Sequence, residues 1–235
     1  MPAHRTVGHE AWIAARKELL AREKAFTRMR DELSRARRDL PWETVDKDYV
    51  FDGPDGRESL AELFADKGQL LVQHFMFGPD WEEGCPSCSL MADHIDPAVV
   101  HLGQRDVAFV AVSRAPLAKI EAFRARMGWS FKWVSSAGSD FNAEFGVSFS
   151  PEAVEAGAVE YNYATGRFPS TEAPGLSTFC KDEAGQIYHA YSTYGRGLDT
   201  VINAYNLLDL MPKGRDEDGL DHTMAWVRHH DRYGT

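Results

Sequence analysis

Cysteine is scarce in this chain: Cys85, Cys88 and Cys180 are the only three in 235 residues. So odd and sparse a set excludes a disulfide framework of the kind that staples small secreted domains. Long apolar runs are missing as well. No stretch reaches the roughly 18 apolar residues that a membrane helix needs. The first twenty residues are polar and charged, without the apolar segment of a secretory signal. Positive charge is in deficit, with a formal net charge of -10. An acidic surface argues against nucleic acid and anionic membranes as main partners. Between Gly68 and Gln104 there is not one Lys or Arg. There is no internal repeat and no low-complexity tract. These absences lead to the expectation of a cytoplasmic protein without nucleic-acid or membrane partners.

What is present suits a packed globular domain: 43% of residues are hydrophobic and 26% charged. Residues 8–38 read as one charged helix. Trp12, Ala15, Leu19, Leu20, Phe26, Met29 and Leu33 recur at roughly helical spacing, and Pro41 ends the pattern. Its cations, including Arg22, Lys24, Arg28, Arg30, Arg35, Arg37 and Arg38, read as a solvated face. Its apolar stripe points to a homodimer in which this arm packs on a second subunit.

Beyond it, Tyr49-Val50-Phe51 leads through Asp52-Gly53-Pro54-Asp55-Gly56 into a short helix near Leu60–Phe64. Leu70 to Phe77 and Val107 to Val112 are nearly continuous apolar runs, as in strands covered on both faces. Cys88 to Leu102 reads as a helix that Pro97 kinks or divides, and Pro116 to Met127 as an amphipathic helix. Phe131–Val134 is a short strand, and Val159–Tyr163 is another candidate. Leu176–Cys180 and Ile187–Tyr191 flank a turn at Asp182-Glu183-Ala184-Gly185. Asp199–Leu210 and Asp221–Arg232 read as terminal helices. The order gives a parallel βαβ unit, then an antiparallel hairpin, then a covering helix. The expected fold is therefore α/β, with a mixed central sheet flanked by helices. We divide it into an N-terminal helical arm (1–41), a central α/β domain (42–210) and a C-terminal helical extension (211–235).

Chemistry concentrates at Gly84-Cys85-Pro86-Ser87-Cys88, between a buried strand and a helix. A CxxC in a βαβ setting reads as a redox motif. Pro86 suits the first helical turn, which puts Cys85 at the N-cap. Unpaired N–H groups and the positive helix end there favour thiolate, the nucleophilic form. Cys88, a turn further in, is placed to resolve a mixed disulfide on Cys85. Asp80, Glu82, Glu83, Asp93 and Asp96 pull the other way, because nearby acids raise a thiol pKa. Two alternatives stay open. Cys85 and Cys88 with His94, Asp93 or His74 are half of a structural zinc site, which would make the protein a zinc-stabilised binding module. A redox-inert module is the other. Cys180, mid-strand beside Phe179, reads as a small buried hydrophobe.

The run His74-Phe75-Met76-Phe77-Gly78-Pro79-Asp80-Trp81, the CPSC motif, and Gly175-Leu176-Ser177 with Phe179 resemble a bacterial family. So do Tyr191-Ser192-Thr193-Tyr194-Gly195-Arg196-Gly197, Gly214-Arg215-Asp216-Glu217 and Trp226-Val227-Arg228-His229-His230-Asp231. That family was first catalogued as a domain of unknown function and is now labelled thioredoxin-like, a predicted dithiol–disulfide oxidoreductase. The resemblance covers nearly the whole chain. It implies a thioredoxin fold of the alkyl-hydroperoxide-reductase type, with Cys85 and Cys88 catalytic, a thiol or disulfide substrate and no cofactor. Three departures stand out. Glu82 occupies the place of the Thr or Ser that precedes a peroxidatic cysteine, which speaks against peroxidase chemistry. Gln73 or His74 stands where thioredoxins carry a buried acid. Pro174 is the candidate for their cis-proline.

Other residues have a functional and a structural reading. His74 can serve Cys85 as a base or simply be a core histidine with a hydrogen bond. Trp81 can flank the cysteine mouth or anchor its loop. Arg196, after the last strand with Tyr191 and Tyr194, can supply the cation that residues 68–104 lack, or make a surface ion pair. His229-His230-Asp231 reads as a helix end rather than a metal site.

Overall fold

The computed structural model describes residues 4–234. It divides into two compact units, Met1–Trp42 and Glu43–Thr235. The first consists of one 30-residue helix, α1 (His9–Arg38), with Glu10 in its first turn and Arg35, Arg37 and Arg38 in its last. That placement opposes the macrodipole at both ends.

The second unit is built on an eight-stranded sheet. In chain order its elements are β1 (Glu43–Thr44), β2 (Val50–Gly53), β3 (Gly56–Ser59), β4 (Gln69–His74), α2 (Pro86–Ile95), α3 (Val99–Gly103) and β5 (Val107–Ser113). Then come α4 (Leu117–Met127), β6 (Lys132–Ser135), α5 (Phe141–Glu144), α6 (Pro151–Ala156), β7 (Val159–Tyr161), β8 (Ala164–Gly166), β9 (Gly175–Lys181), β10 (Ile187–Tyr194) and α7 (Asn203–Leu208). The sheet order is β1-β10-β9-β4-β5-β6-β2-β3, and β7 and β8 form a separate small hairpin. Strands β4, β5 and β6 are parallel, whereas β9 runs antiparallel to β4, and β10 to β9. The central order, with a parallel β4–α2–β5 crossover and an antiparallel β9–β10 hairpin on the other flank of β4, is the thioredoxin arrangement.

Strand alternation decides what each face carries. Leu71 and Phe75 of the β4 run, Phe109 and Ala111 of β5, Trp133 of β6 and Leu176 of β9 point to one side. There they bury against Cys88, Met91 and Ile95 of α2, Ile120 and Phe123 of α4, and Tyr205 of α7. Leu70 and Val72, Val110 and Val112, Val134 and Phe179 point to the other side, under Phe51, Leu63, Phe64 and Phe141. Both faces of β4 are thus sealed, as its continuous apolar run requires.

The division expected at Pro97 is present: the stretch from Cys88 to Leu102 is three pieces, α2, a 3-10 turn Asp96–Ala98 and α3, because Pro97 cannot donate into an unbroken helix. The terminal helix expected over Asp221–Arg232 does not form; only a 3-10 turn at His230–Arg232 is helical. Met224 holds a positive φ of 68° there, and the segment is held both by bonds within itself and by bonds to the domain, where Tyr205 Oη donates to Glu217 at 2.8 Å and His229 Nε2 meets the Gly84 carbonyl at 2.8 Å. The Glu217 carboxylate accepts from the Met224 N–H at 3.0 Å and from Trp226 Nε1 at 2.6 Å. Residues 211–234 therefore belong to the sheet's own compact unit.

Within α1 taken by itself, Trp12, Leu19, Phe26 and Leu33 recur every seven residues, with Ala15, Met29 and Ala36 three places on. That is a coiled-coil seam interrupted by Arg22. Full-length protein is expected to run as a dimer in light scattering, and Leu19→Glu with Phe26→Glu as a monomer. Equal masses for the two proteins would remove the arm as the pairing element.

Candidate functional site

Strand β4 ends at His74, and the chain crosses Phe75 to Gly84 before entering α2 at Pro86. Cys85 is the N-cap residue, extended at φ -59° and ψ 131°, with Pro86 in the first turn. The Cys85 N–H donates to the Met76 carbonyl at 3.0 Å, and its own carbonyl accepts from the Ser89 N–H at 2.9 Å. Ser89 Oγ donates to the same carbonyl at 2.9 Å. The turn before it is equally tight. A Cβ at Gly84 would lie 2.6 Å from the Phe75 ring and 2.9 Å from that of Phe123. Gly84→Ala is expected to cost about 1–3 kcal/mol through this overpacking, read as a lower urea midpoint; an unchanged midpoint would show that the loop yields freely.

The two thiols differ sharply. Cys85 is partly exposed, Cys88 is buried, and neither is in a disulfide. The Cys88 thiol donates to the Cys85 sulfur, and the Cys88 and Ser87 amides add to it, outweighing partial burial and bringing Cys85 down to about 7. Donating to Cys85 and sitting in the core push Cys88 well up. One group is therefore poised as thiolate near neutrality while the other holds its proton.

Three of the five acids expected to oppose this, Glu83, Asp93 and Asp96, are occupied elsewhere. Glu83 accepts from Arg126 at 2.6 Å and from Arg232 at 2.7 Å. Asp93 accepts from Trp129 Nε1 and from His230, each at 2.8 Å. Asp96 caps the Ser130 and Phe131 amides at 2.9 and 3.1 Å.

Beside Cys85 and Cys88 lies a pocket of about 230 Å³. Pro174 and Arg196 line it, so the structure brings both to the cysteines. The Pro174 peptide is trans, as are all those among the described residues, which corrects the cis assignment. Arg196 directs its guanidinium to Asp199 at 3.2 Å; the fall in the Cys85 pKa comes first from hydrogen bonds to Cys88 and the helix amides.

The other candidates stand apart. His74 projects from the opposite face of the sheet, where its Nε2 meets Ser177 Oγ at 2.7 Å and its ring stacks on Phe145. Burial drops its pKa to about 3, so it stays neutral. It is a core histidine and not a base beside Cys85. Gln73, one residue earlier and hence on the cysteine face, donates from Nε2 to the Cys88 carbonyl at 3.1 Å. Trp81 anchors its loop: its indole lies against Gly78 and its carbonyl accepts from Lys119 at 3.0 Å.

His94 cannot complete a zinc site. Its Nδ1 meets the Leu90 carbonyl at 2.6 Å and its Nε2 accepts from the Ala204 N–H at 3.1 Å, so both nitrogens are used. Among the described residues no cluster of three or more metal-ligating groups occurs. Cys180 pairs with Gln69 at the start of β4, the far end from the site, where Gly175 pairs with His74. His229 is buried and meets the Gly84 carbonyl at 2.8 Å through Nε2, pinning the turn before Cys85.

Sequence reasoning missed the rest of the pocket wall: Met76, Met91, Leu198, Ile202, Tyr205 and Met224, with Arg215 and Thr223. It also missed Tyr161, whose hydroxyl donates to the Pro174 carbonyl and accepts from the Gly195 N–H, both at 2.8 Å. Spacing gives no sign of these residues. Only Met76, in the His74–Trp81 run, and Arg215, in Gly214-Arg215-Asp216-Glu217, had stood within quoted motifs.

Strand order and the CxxC at the start of the first crossover helix define a thioredoxin-fold protein with a dithiol site. The chain belongs to a bacterial family described as proteins of unknown function (DUF899), whose model matches residues 1–233. No curated protein matches it. Similar solved structures include peroxidoxin BcpB from Mycobacterium tuberculosis, 16% identical, spanning 69% of this chain and 93% of its own, at a TM-score of 0.47. A mutant of peroxiredoxin Q from Xanthomonas campestris is 15% identical over 72% of this chain and 98% of its own, TM-score 0.48. A thiol:disulfide interchange protein DsbE from Chlorobium tepidum is 13% identical over 71% and 98%, TM-score 0.43.

Alkylation of the Cys85 peptide by iodoacetamide, followed by mass spectrometry, is expected to rise with pH through a midpoint near 7. The sign follows from thiolate being the reacting form above that midpoint. Cys88→Ala removes the leading donor and is expected to move the midpoint upward. A profile that does not move would show that the helix amides alone set it.

Proposed function

We propose that the protein is a dithiol–disulfide oxidoreductase acting through Cys85 and Cys88. The observation that carries this reading is the asymmetry of the pair: a partly exposed Cys85 lowered to about 7 beside a buried Cys88 that donates to it. The Cys85 thiolate attacks one sulfur of a disulfide RSSR. The S–S bond breaks, a Cys85–SR mixed disulfide forms, and RS⁻ leaves to take up a proton. Cys88 then loses its proton and attacks the Cys85 sulfur. The Cys85–Cys88 bond forms and the second RS⁻ departs, so two electrons have passed from the protein dithiol to the substrate. A reduced dithiol donor restores the site by the same steps in reverse.

The helix N-terminus supports the first step by stabilising charge on Cys85 without a lysine or arginine. Glu82 argues for disulfides over hydroperoxides, because that position carries no hydroxyl. Sparse cysteine with one close pair is the usage of a reducing compartment, and we place the reaction in the cytoplasm. His94, with both nitrogens occupied, leaves the zinc-stabilised reading without its third ligand.

Mass spectrometry of two variants tests the assignment. Cys88→Ser, mixed with a small disulfide, is expected to accumulate the mixed disulfide on Cys85, since nothing resolves it. Cys85→Ser is expected to form none at Cys88. Trapping at Cys88 in the second variant would reverse the roles. The absence of any adduct in either, with both thiols still open to alkylation, would refute the exchange reaction.

A further inference from the structure

The segment after β10 does more than cap the sheet, because it walls in the cysteines. The 3-10 segment Gly195–Val201 contributes Leu198, α7 contributes Tyr205, and the stretch beyond Lys213 contributes Arg215, Thr223 and Met224. These residues face Met76 and Met91 across Cys85 and Cys88. The wall is fastened rather than loosely draped. Glu217 accepts from Tyr205 Oη at 2.8 Å, from the Met224 N–H at 3.0 Å and from Trp226 Nε1 at 2.6 Å. Val227 and His229 are both buried, and His229 grips the Gly84 carbonyl at 2.8 Å.

The pocket that results has an apolar interior and a charge-balanced rim. Met76, Met91, Leu198, Ile202, Tyr205 and Met224 make the interior. At the rim, Arg215 donates to both oxygens of Asp209 at 2.9 Å and to Asp199 at 2.7 Å, with its guanidinium 3.9 Å above the Tyr205 ring. Arg196 shares the same Asp199 at 3.2 Å. Two cations thus meet two anions, so the charges at the rim cancel and no net positive charge is left to favour an anionic substrate over a neutral one. The interior, about 230 Å³ in volume, is of a size that admits a small molecule.

We infer that the substrates of the Cys85–Cys88 pair are small, uncharged, apolar disulfides, taken into the walled pocket, and not protein disulfides or anionic ones such as oxidised glutathione. This rests on the exchange reaction proposed above. Substrate alkyl groups would bury against the methionine, leucine and isoleucine side chains while one substrate sulfur meets Cys85. A peptide or a charged disulfide would have to leave a polar group unpaired against the same surface.

The test is a single-turnover oxidation of the fully reduced, full-length protein by dipropyl disulfide, oxidised glutathione and insulin. Formation of the Cys85–Cys88 disulfide is read by mass. Each rate is divided by that of the same disulfide with free dithiothreitol, which removes intrinsic reactivity. Dipropyl disulfide is expected to lead by about tenfold or more, the usual worth of a few methylenes in an apolar pocket. Met224→Gln is expected to shrink the ratio of the dipropyl to the glutathione rate, a readout insensitive to partial unfolding. A ratio unchanged in that variant would show that the pocket does not set the preference, and would overturn the inference. Glutathione or insulin matching dipropyl disulfide would overturn the substrate class and leave the exchange reaction standing. If none of the three oxidises the pair while all react with dithiothreitol, the exchange reaction fails and the inference with it.

Discussion

The turn from β4 into α2 is held from four directions, and the chemistry of the site depends on that grip. The Cys85 N–H is spent on the Met76 carbonyl, and the Cys85 carbonyl on Ser89. The Cys88 carbonyl accepts from Gln73, and the Gly84 carbonyl from His229. With the backbone so fixed, the free amides of the first helical turn can only face the Cys85 sulfur. The positive end of the helix then acts where an exposed cation would otherwise be needed. The missing lysines and arginines between Gly68 and Gln104 are therefore no handicap. Two acids of that stretch, Glu83 and Asp93, are bound instead by Arg126 of α4 and by Arg232 and His230 of the C-terminal segment.

Packing on the two faces of one strand separates what the sequence places side by side. Gln73 and His74 are neighbours in β4, yet they lie on opposite faces of the sheet because side chains alternate. Gln73 reaches Cys88, whereas His74 is sealed beneath Phe141 and Phe145 and bonded to Ser177. A histidine one residue away in either direction would have sat under the cysteines. The buried acid of thioredoxins is here a neutral amide, which cannot ionise and serves instead to anchor the Cys88 carbonyl.

The C-terminal segment illustrates how a few polar contacts replace a regular element. Residues 221–232 read as a helix by composition, but Glu217 binds Tyr205, Met224 and Trp226 at once. Those bonds draw the chain across the mouth of the CxxC, and Met224 adopts a left-handed conformation to follow it. The gain from burying Val227 and His229 and satisfying three donors on one carboxylate outweighs the hydrogen bonds of an isolated helix of about three turns, which is marginal in water.

Local signals in the sequence determined much of this protein. The apolar runs at Leu70–Phe77 and Val107–Val112 read as buried strands, and CPSC between one of them and a helix placed Cys85 at the helix N-cap with Cys88 a turn behind it. Pro86, Pro97 and Pro116 placed helix starts and the break in the first crossover, because proline fixes φ and lacks an N–H wherever it sits. The tertiary structure alone decided most of the residues that surround the cysteines. Tyr161, Tyr205 and Met224 are 73 or more positions away from Cys88 in the chain, and no periodicity links them to it. Their assembly follows from sheet order, which brings β9 beside β4, and from the bonds of Glu217 and His229, which fold the C-terminal segment back over α2. Such contacts are fixed by the packing of whole elements, and a pattern that spans one helix or one strand carries no record of them.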